Sequence, residues 1–210
     1  FTGGKDGESA KLLRAFAEGY WMASYEYTEY KKDASAFYPE GLEVLDLKGS
    51  QGPKVLEATQ KLVEAIFLAR SLGDKPGNLL TPKEFARIGQ SIAKEFKMGY
   101  RVLGLKEMEK AGMGLFLGVA KGSTQEPQLI VLEYRGGKKG DKPIALVGKG
   151  VTFDSGGISL KPADRMEEMK YDMMGGAAVI AAMLAIAKLK LKINAVGYVP
   201  ATENMPGSRE

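Results

Sequence analysis

Apolar residues recur at helical spacing between positions 9 and about 30, at Leu12, Leu13, Phe16, Ala17, Tyr20, Trp21 and Tyr25, with charges on the opposite face. This spacing predicts an amphipathic helix. A polar connector with Pro39 follows over 31–40, and Leu42, Val44, Leu45 and Leu47 then predict a strand. Positions 53–72 repeat the helical pattern through Leu56, Leu62, Val63, Ile66, Phe67 and Ala69 until Gly73-Asp74 and Pro76-Gly77-Asn78 stop it. Asn78 reads as a turn residue between helices. Thr81-Pro82 starts the next helix, with Thr as N-cap, Pro at the first helical position and Glu84 three residues after the cap. That helix is expected to reach about Phe96.

After Gly99 the pattern changes. Strands are predicted at 100–105, 128–134, 142–147 and 193–200, a short helix at 106–111, and a long helix at 173–189. Strands alternating with helices indicate an α/β fold with a mixed, largely parallel sheet flanked by helices. The run Ile144-Ala145-Leu146-Val147 suits a central strand buried on both faces. The loop over 149–161 would then open at the carboxyl edge of the sheet, where open α/β folds bind their ligands.

With 210 residues, 44% of them apolar and 27% charged, the composition is that of a soluble globular protein. The net charge of +4 comes from scattered lysines, with small clusters such as Lys31-Lys32 and Lys138-Lys139. Such dispersion argues for a solvated face and against a nucleic-acid partner, which needs concentrated positive charge. The opening FTGGKDGES has no signal-peptide pattern. The longest uncharged segment, 173–187, is too short for a bilayer and reads as a buried helix, so no membrane partner is expected. The chain has no cysteine and no histidine. That excludes a disulfide scaffold, a zinc finger and thiol catalysis, and it suits a reducing compartment. Chemistry is left to carboxylates, amines, hydroxyls and backbone, around hard metal ions.

The segment 147–162, VGKGVTFDSGGISLKP, concentrates those groups. It is not a nucleotide-binding P-loop, which puts Ser or Thr directly after its lysine, whereas Gly150 follows Lys149. Asp154-Ser155-Gly156-Gly157 looks like the surroundings of a serine nucleophile, but no histidine base exists. A Ser-Lys dyad with Lys149 or Lys161 stays open. Phe153-Asp154-Ser155-Gly156 also resembles the aspartic-protease triplet, of which the chain has one copy where two are needed. Two-metal hydrolysis needs several anionic oxygens and a cation for the developing oxyanion. Asp154 lies in the loop, and Asp172 precedes the long helix, so it can point back to the same edge. Taken singly, Asp172 is an N-cap, each lysine is solvated and the glycines shape a turn. Their joint order favours the metal reading.

VGKGVTFDSGGISLKP followed by MKYDMMGGAAVIAAM resembles the leucyl aminopeptidase family of dinuclear metallopeptidases, the M17 or cytosol aminopeptidases. AEGYWMASYEYTEYKK is similar to the family's interdomain junction, PGNLLTPKEFA to its Asn-x-x-Thr-Pro segment, and ATENMPGS to its Glu-Asn-Met-Pro segment. The resemblance implies that Lys149 is an amine ligand of one metal, that Asp154 bridges both metals, and that Asp172 ligates the metal held by Lys149. Lys161 would be the catalytic, non-ligand lysine that polarises the scissile carbonyl. It further implies two divalent ions (Zn2+, Mn2+ or Mg2+), a water activated by them, and a peptide substrate with a free N-terminus. A hexameric homo-oligomer and a cytoplasmic location follow from the same likeness. Residues 1–40 would be the end of an N-terminal domain with its connecting helix, and 41–210 the first part of the catalytic domain. The family's Asn-Thr-Asp-Ala-Glu-Gly-Arg motif, with further carboxylate ligands and an arginine for bicarbonate, does not occur before Glu210. The expectation is therefore a sheet truncated at its C-terminal end, and a chain inactive and poorly folded alone. The alternatives are a catalytically silent subunit with an assembly role and a DNA-binding role.

Overall fold

The computed structural model describes residues 6–32 and 52–207. The chain divides into two compact units, Phe1–Phe67 and Leu68–Glu210. In the first unit, helix α1 (Asp6–Ala23) carries the amphipathic pattern and buries Leu13 and Ala17. It stops at Ala23, short of Tyr30, where the Ser24 hydroxyl turns back to donate to the Trp21 carbonyl at 2.7 Å. A serine bonding its own backbone in this way competes with the helix. The strand expected at 42–47 lies outside the described residues. Helix α2 (Gly52–Asp74) agrees closely with its predicted span.

The second unit holds α3 (Pro82–Glu95), β1 (Gly99–Leu103), α4 (Leu105–Lys110), α5 (Gly114–Ala120), β2 (Gln128–Arg135), β3 (Ile144–Val147), β4 (Gly150–Asp154), α6 (Met174–Lys188) and β5 (Asn194–Asn204). Helix α3 starts as predicted: the Thr81 hydroxyl accepts from the Glu84 amide, and Pro82 opens the first turn. Its buried residues Pro82, Phe85, Ala86, Gly89, Ile92 and Ala93 form one face, which packs on the sheet. Complete burial of Phe85 alone stabilises by ~2–3 kcal/mol.

The fold is α/β with a mixed five-stranded sheet. β1 pairs with β2 and β2 with β5 antiparallel, while β3 and β4 both pair with β5 in parallel. Parallel pairing is thus confined to one side of β5, less than the expected predominance. Among the described residues β3 pairs with β5 alone, although its apolar run suggests a strand buried on both faces. It is the outer strand of the order β1-β2-β5-β3, with Ile144 52% and Val147 72% exposed. The centre is β5, whose Ala195, Val199 and Ala201 are buried. An apolar run reports the burial a strand can tolerate, whereas neighbours are set by pairing.

Helix α6 buries nine residues, Ala177, Ile180 and Met183 completely. Together with the 3-10 turn before it, α6 forms a helical segment, Met166–Lys188, long and apolar enough by composition to cross a membrane. Only its stretch 173–187 is free of charged residues. Its apolar character is accounted for by packing on β5 and its neighbours.

Small residues let α6 lie close to the strands. A Cβ on Gly148 would stand 2.1 Å from the Gly175 carbonyl oxygen, inside the first turn of α6. Gly148→Ala is therefore expected to destabilise by about 1–3 kcal/mol, because backbone rather than a flexible side chain must yield. Gly114→Ala, with nothing within 4 Å of the added carbon, should leave the urea midpoint nearly unchanged. Equal midpoints for both variants would contradict the close-approach account.

Candidate active site

Lys149 sits where β3 gives way to β4. Val147 pairs with Tyr198 and Gly150 with Ala201, so the two strands run in one line beside β5 without a slip. The Gly148 amide donates to the Tyr198 carbonyl at 3.0 Å, holding the join in place. The first turn of α6 descends on this join, and the Gly176 amide donates to the Lys149 carbonyl at 2.7 Å. That bond satisfies one of the donors a helix N-terminus leaves open. A Cβ on Gly176 would meet Val199 at 2.6 Å, so a larger residue would lift the helix away. Asp172 ends the 3-10 turn Met166–Tyr171 just before α6, and its Oδ2 lies 2.6 Å from Lys149 Nζ.

Asp154 ends β4. Its Oδ1 accepts from Asn204 Nδ2 at 2.7 Å and from the Gly156 amide at 3.0 Å. Its Oδ2 faces Lys161 Nζ at 2.7 Å and Lys149 Nζ at 3.8 Å. The chain then turns sharply through Gly156 (φ +94°) and Gly157 (φ +66°), left-handed backbone that glycine adopts without strain. The Ser155 amide and hydroxyl both donate to the Asn204 carbonyl, at 2.9 and 2.7 Å. The Lys161 amide donates to the Ser155 carbonyl at 2.9 Å, which brings its side chain back over Asp154. Met169 Sδ lies 3.1 Å from Lys161 Nζ.

The four residues predicted from sequence, Lys149, Asp154, Lys161 and Asp172, are therefore brought together. Within the expected loop, Gly150–Asp154 is strand β4, so the turn proper begins at Ser155. Burial works against ionisation of Asp154, but hydrogen bonds from Lys161, Asn204 and Gly156 outweigh it and hold the carboxyl below its ordinary value. The carboxylates form the floor, with side chains 13% and 23% exposed, and the amines face solvent at 36% and 56%.

Asp172 Oδ2 is sealed from solvent, and its short contact with Lys149 lacks hydrogen-bond geometry, so the oxygen has no hydrogen-bond donor. That oxygen is paired with the Lys149 amine alone, and two carboxylates converging on one amine fit a cation. The donor set of oxygen and amine suits a divalent ion. Among the described residues no group of three or more His, Cys, Asp or Glu side chains forms a metal cluster. The fit is to part of a coordination shell.

The geometry also closes the serine readings. Ser155 is buried, its hydroxyl is committed to the Asn204 carbonyl, and Lys161 points at Asp154 instead. Asn204 and Met169 are site neighbours that sequence reasoning did not single out. Asn204 lies in the quoted segment ATENMPGS, but only the strand register shows which residue it faces.

The sequence profile of the cytosol aminopeptidase family, catalytic domain, matches residues 67–210. A probable cytosol aminopeptidase of Aromatoleum aromaticum is 44% identical over 201 residues, covering 94% of this chain and 40% of that protein. One from Geotalea uraniireducens is 45% identical over 207 residues, with 94% and 41% covered. Among solved structures, the bottromycin maturation enzyme BotP in complex with Mn superposes with a TM-score of 0.81 at 34% identity, covering 95% of this chain and 41% of that one. A cytosol aminopeptidase from Coxiella burnetii gives 0.78 at 28% identity, with 96% and 41% covered. The chain spans about two fifths of the length of the curated relatives it matches.

The lowered Asp154 carboxyl sets a sign for acid stability. A depressed folded value stabilises above the unfolded value, ~3.9, and that contribution is lost as pH falls through the folded value. Metal-free Asp154→Asn should show a shallower loss of stability below about pH 4 than the unsubstituted protein, read by urea unfolding across that range. Parallel acid limbs would contradict the hydrogen-bond pattern at Asp154.

Proposed function

The chain belongs to the cytosol aminopeptidase family, and from that premise we propose that it supplies the lysine-bearing part of a metal-dependent aminopeptidase site, one that releases N-terminal residues from peptides. The observation that carries the reading is the convergence of Lys149, Asp154, Lys161 and Asp172, with Asp172 Oδ2 buried and without a hydrogen-bond donor. Lys149 and Asp172 would hold one divalent ion, with Asp154 Oδ2 shared toward a second. Such ions would supply Lewis-acid activation of water and anchor the substrate's free amine. The Mn in the BotP complex supports Mn2+ as the ion to test.

In this reading Lys149 would serve as a ligand, and Lys161 would stay outside the coordination shell. The Lys161 ammonium, on the solvent side of the carboxylate floor, would donate to the scissile carbonyl and stabilise the negative charge that develops there. Asp154 holds that ammonium in place through Oδ2. The same reading includes a peptide with a free N-terminus as substrate, a homo-oligomeric assembly and a cytoplasmic location. Residues 1–40 would belong to a preceding domain and its linker, and 41–210 to the catalytic domain.

Two carboxylates and one amine suffice for one ion, so the 210-residue polypeptide is expected to take up one Mn2+ in calorimetric titration and to leave leucine amide uncleaved. Asp172→Ala should weaken that binding about 10- to 100-fold. Lys161→Ala should not weaken it, because the lysine competes with the metal for Asp154 Oδ2. A chimera continuing this chain with the rest of the Aromatoleum aromaticum relative should hydrolyse leucine amide, and Lys161→Ala should lower its turnover about 10²–10³-fold. Mn2+ binding unaffected by Asp172→Ala, or a chimera indifferent to Lys161, would sink the reading and favour an assembly role.

A further inference from the structure

We propose that Asn204 is the positioning residue of this site: its side-chain amide fixes which oxygen of Asp154 faces the lysines and any cation held among them. The inference rests on the metal-site reading above and deepens it.

An aspartate carboxylate turns easily about its last torsion, which has broad, roughly two-fold wells. Left free, either oxygen of Asp154 would face the amines, and a cation would have to select one arrangement. Asn204 removes that freedom. Its Nδ2 donates to Oδ1 at 2.7 Å, the Gly156 amide donates to the same oxygen at 3.0 Å, and Oδ2 is left toward Lys161 and Lys149. An aspartate at 204 would fail here, since it has acceptors where a donor is required.

The placement of Asn204 is built by a bulge in the ladder. Val151 pairs with Thr202, but Phe153 pairs with Glu203 and Asp154 with Asn204. One-for-one pairing from Val151 onward would put Asp154 opposite Met205 instead. The extra residue is Thr152, buried, with its hydroxyl donating to the Thr202 carbonyl at 3.3 Å. Bulges re-aim side chains next to functional sites, and this one sets an amide beside a carboxylate. The Asn204 backbone is held separately, its carbonyl accepting both donors of Ser155. Changing the side chain therefore leaves the loop's anchor in place, and positioning can be measured apart from folding.

The test uses Mn2+ alone on the intact polypeptide. Asn204→Leu, which keeps the size and removes the donor, and Asn204→Ala are expected to weaken Mn2+ binding ~10- to 100-fold, the usual effect of losing a group that orients a ligand. Asn204→Gln, which retains an amide donor, is expected to recover part of the loss, and the circular dichroism baseline should match in all variants. Unchanged affinity in Asn204→Leu and Asn204→Ala overturns the proposal. So does a loss that appears only together with loss of the folded baseline. If the unsubstituted protein takes up no Mn2+, the metal reading fails, and the inference is decided by the metal-free crystal structure of Asn204→Leu. There an Asp154 carboxylate rotated away from its present contacts supports it, and an unmoved one overturns it.

Discussion

A helix can approach a strand only as closely as the side chains between them allow, and at the start of α6 that barrier is removed by glycine. Gly148 on the strand line faces Gly175 on the helix, with no room for a methyl group, and Gly176 lies against Val199. The Gly176 amide can then reach the Lys149 carbonyl. Because the 3-10 turn leads straight into α6, the same approach sets Asp172 beside Lys149. Deeper along the helix, Gly197 of β5 leaves space for Val179 and Met183, which continues the close packing. The position of two site residues is thus a consequence of core packing, and the rigidity of that packing passes to the site.

The second half of the site is held by hydrogen bonds. Ser155 clamps the chain to the end of β5 twice, and the left-handed glycines after it fold the loop back so that Lys161 reaches Asp154. The outcome is two carboxylates fixed in the floor and two amines at the mouth. Buried carboxylates without cations nearby would be costly. The lysines offset that cost, yet their exposure weakens their hold, since attraction at a solvated amine is screened. In the proposed metal site this asymmetry would let the cations exchange while the carboxylates stay in place.

Much of this was legible in sequence where chemistry and local pattern coincide. Thr81-Pro82 with Glu84 announces a capped helix start, and Lys149, Asp154, Lys161 and Asp172 stand out in a chain without histidine. What was not legible depends on partners. Ile144 to Val147 reads as a buried strand because its residues are apolar, but among the described residues β3 has β5 as its one partner. Helix α5, Gly114–Ala120, has no clear amphipathic spacing in sequence, because two of its seven residues are glycine and its apolar residues do not keep to one face. β4 was hidden inside what looked like a glycine-rich loop, since Gly150 and the turn glycines suggested irregular backbone throughout.

Strand parity explains why the site needs an irregular ladder at all. Side chains alternate faces along a strand, so Lys149 and Asp154, five apart in sequence, would point to opposite sides of a regular one. The ladder from Val147–Tyr198 to Gly150–Ala201 has no slip, which puts Lys149 level with Pro200. Asp154 is level with Asn204, four residues further on, because Thr152 occupies no place of its own opposite β5. An even separation on the partner strand restores both side chains to one face, where amine and carboxylate stand 3.8 Å apart. With Lys149 level with Pro200 and Asp154 level with Asn204, one bulged residue between them returns the two side chains to one face. The buried Thr152, bonded to the Thr202 carbonyl, is that residue.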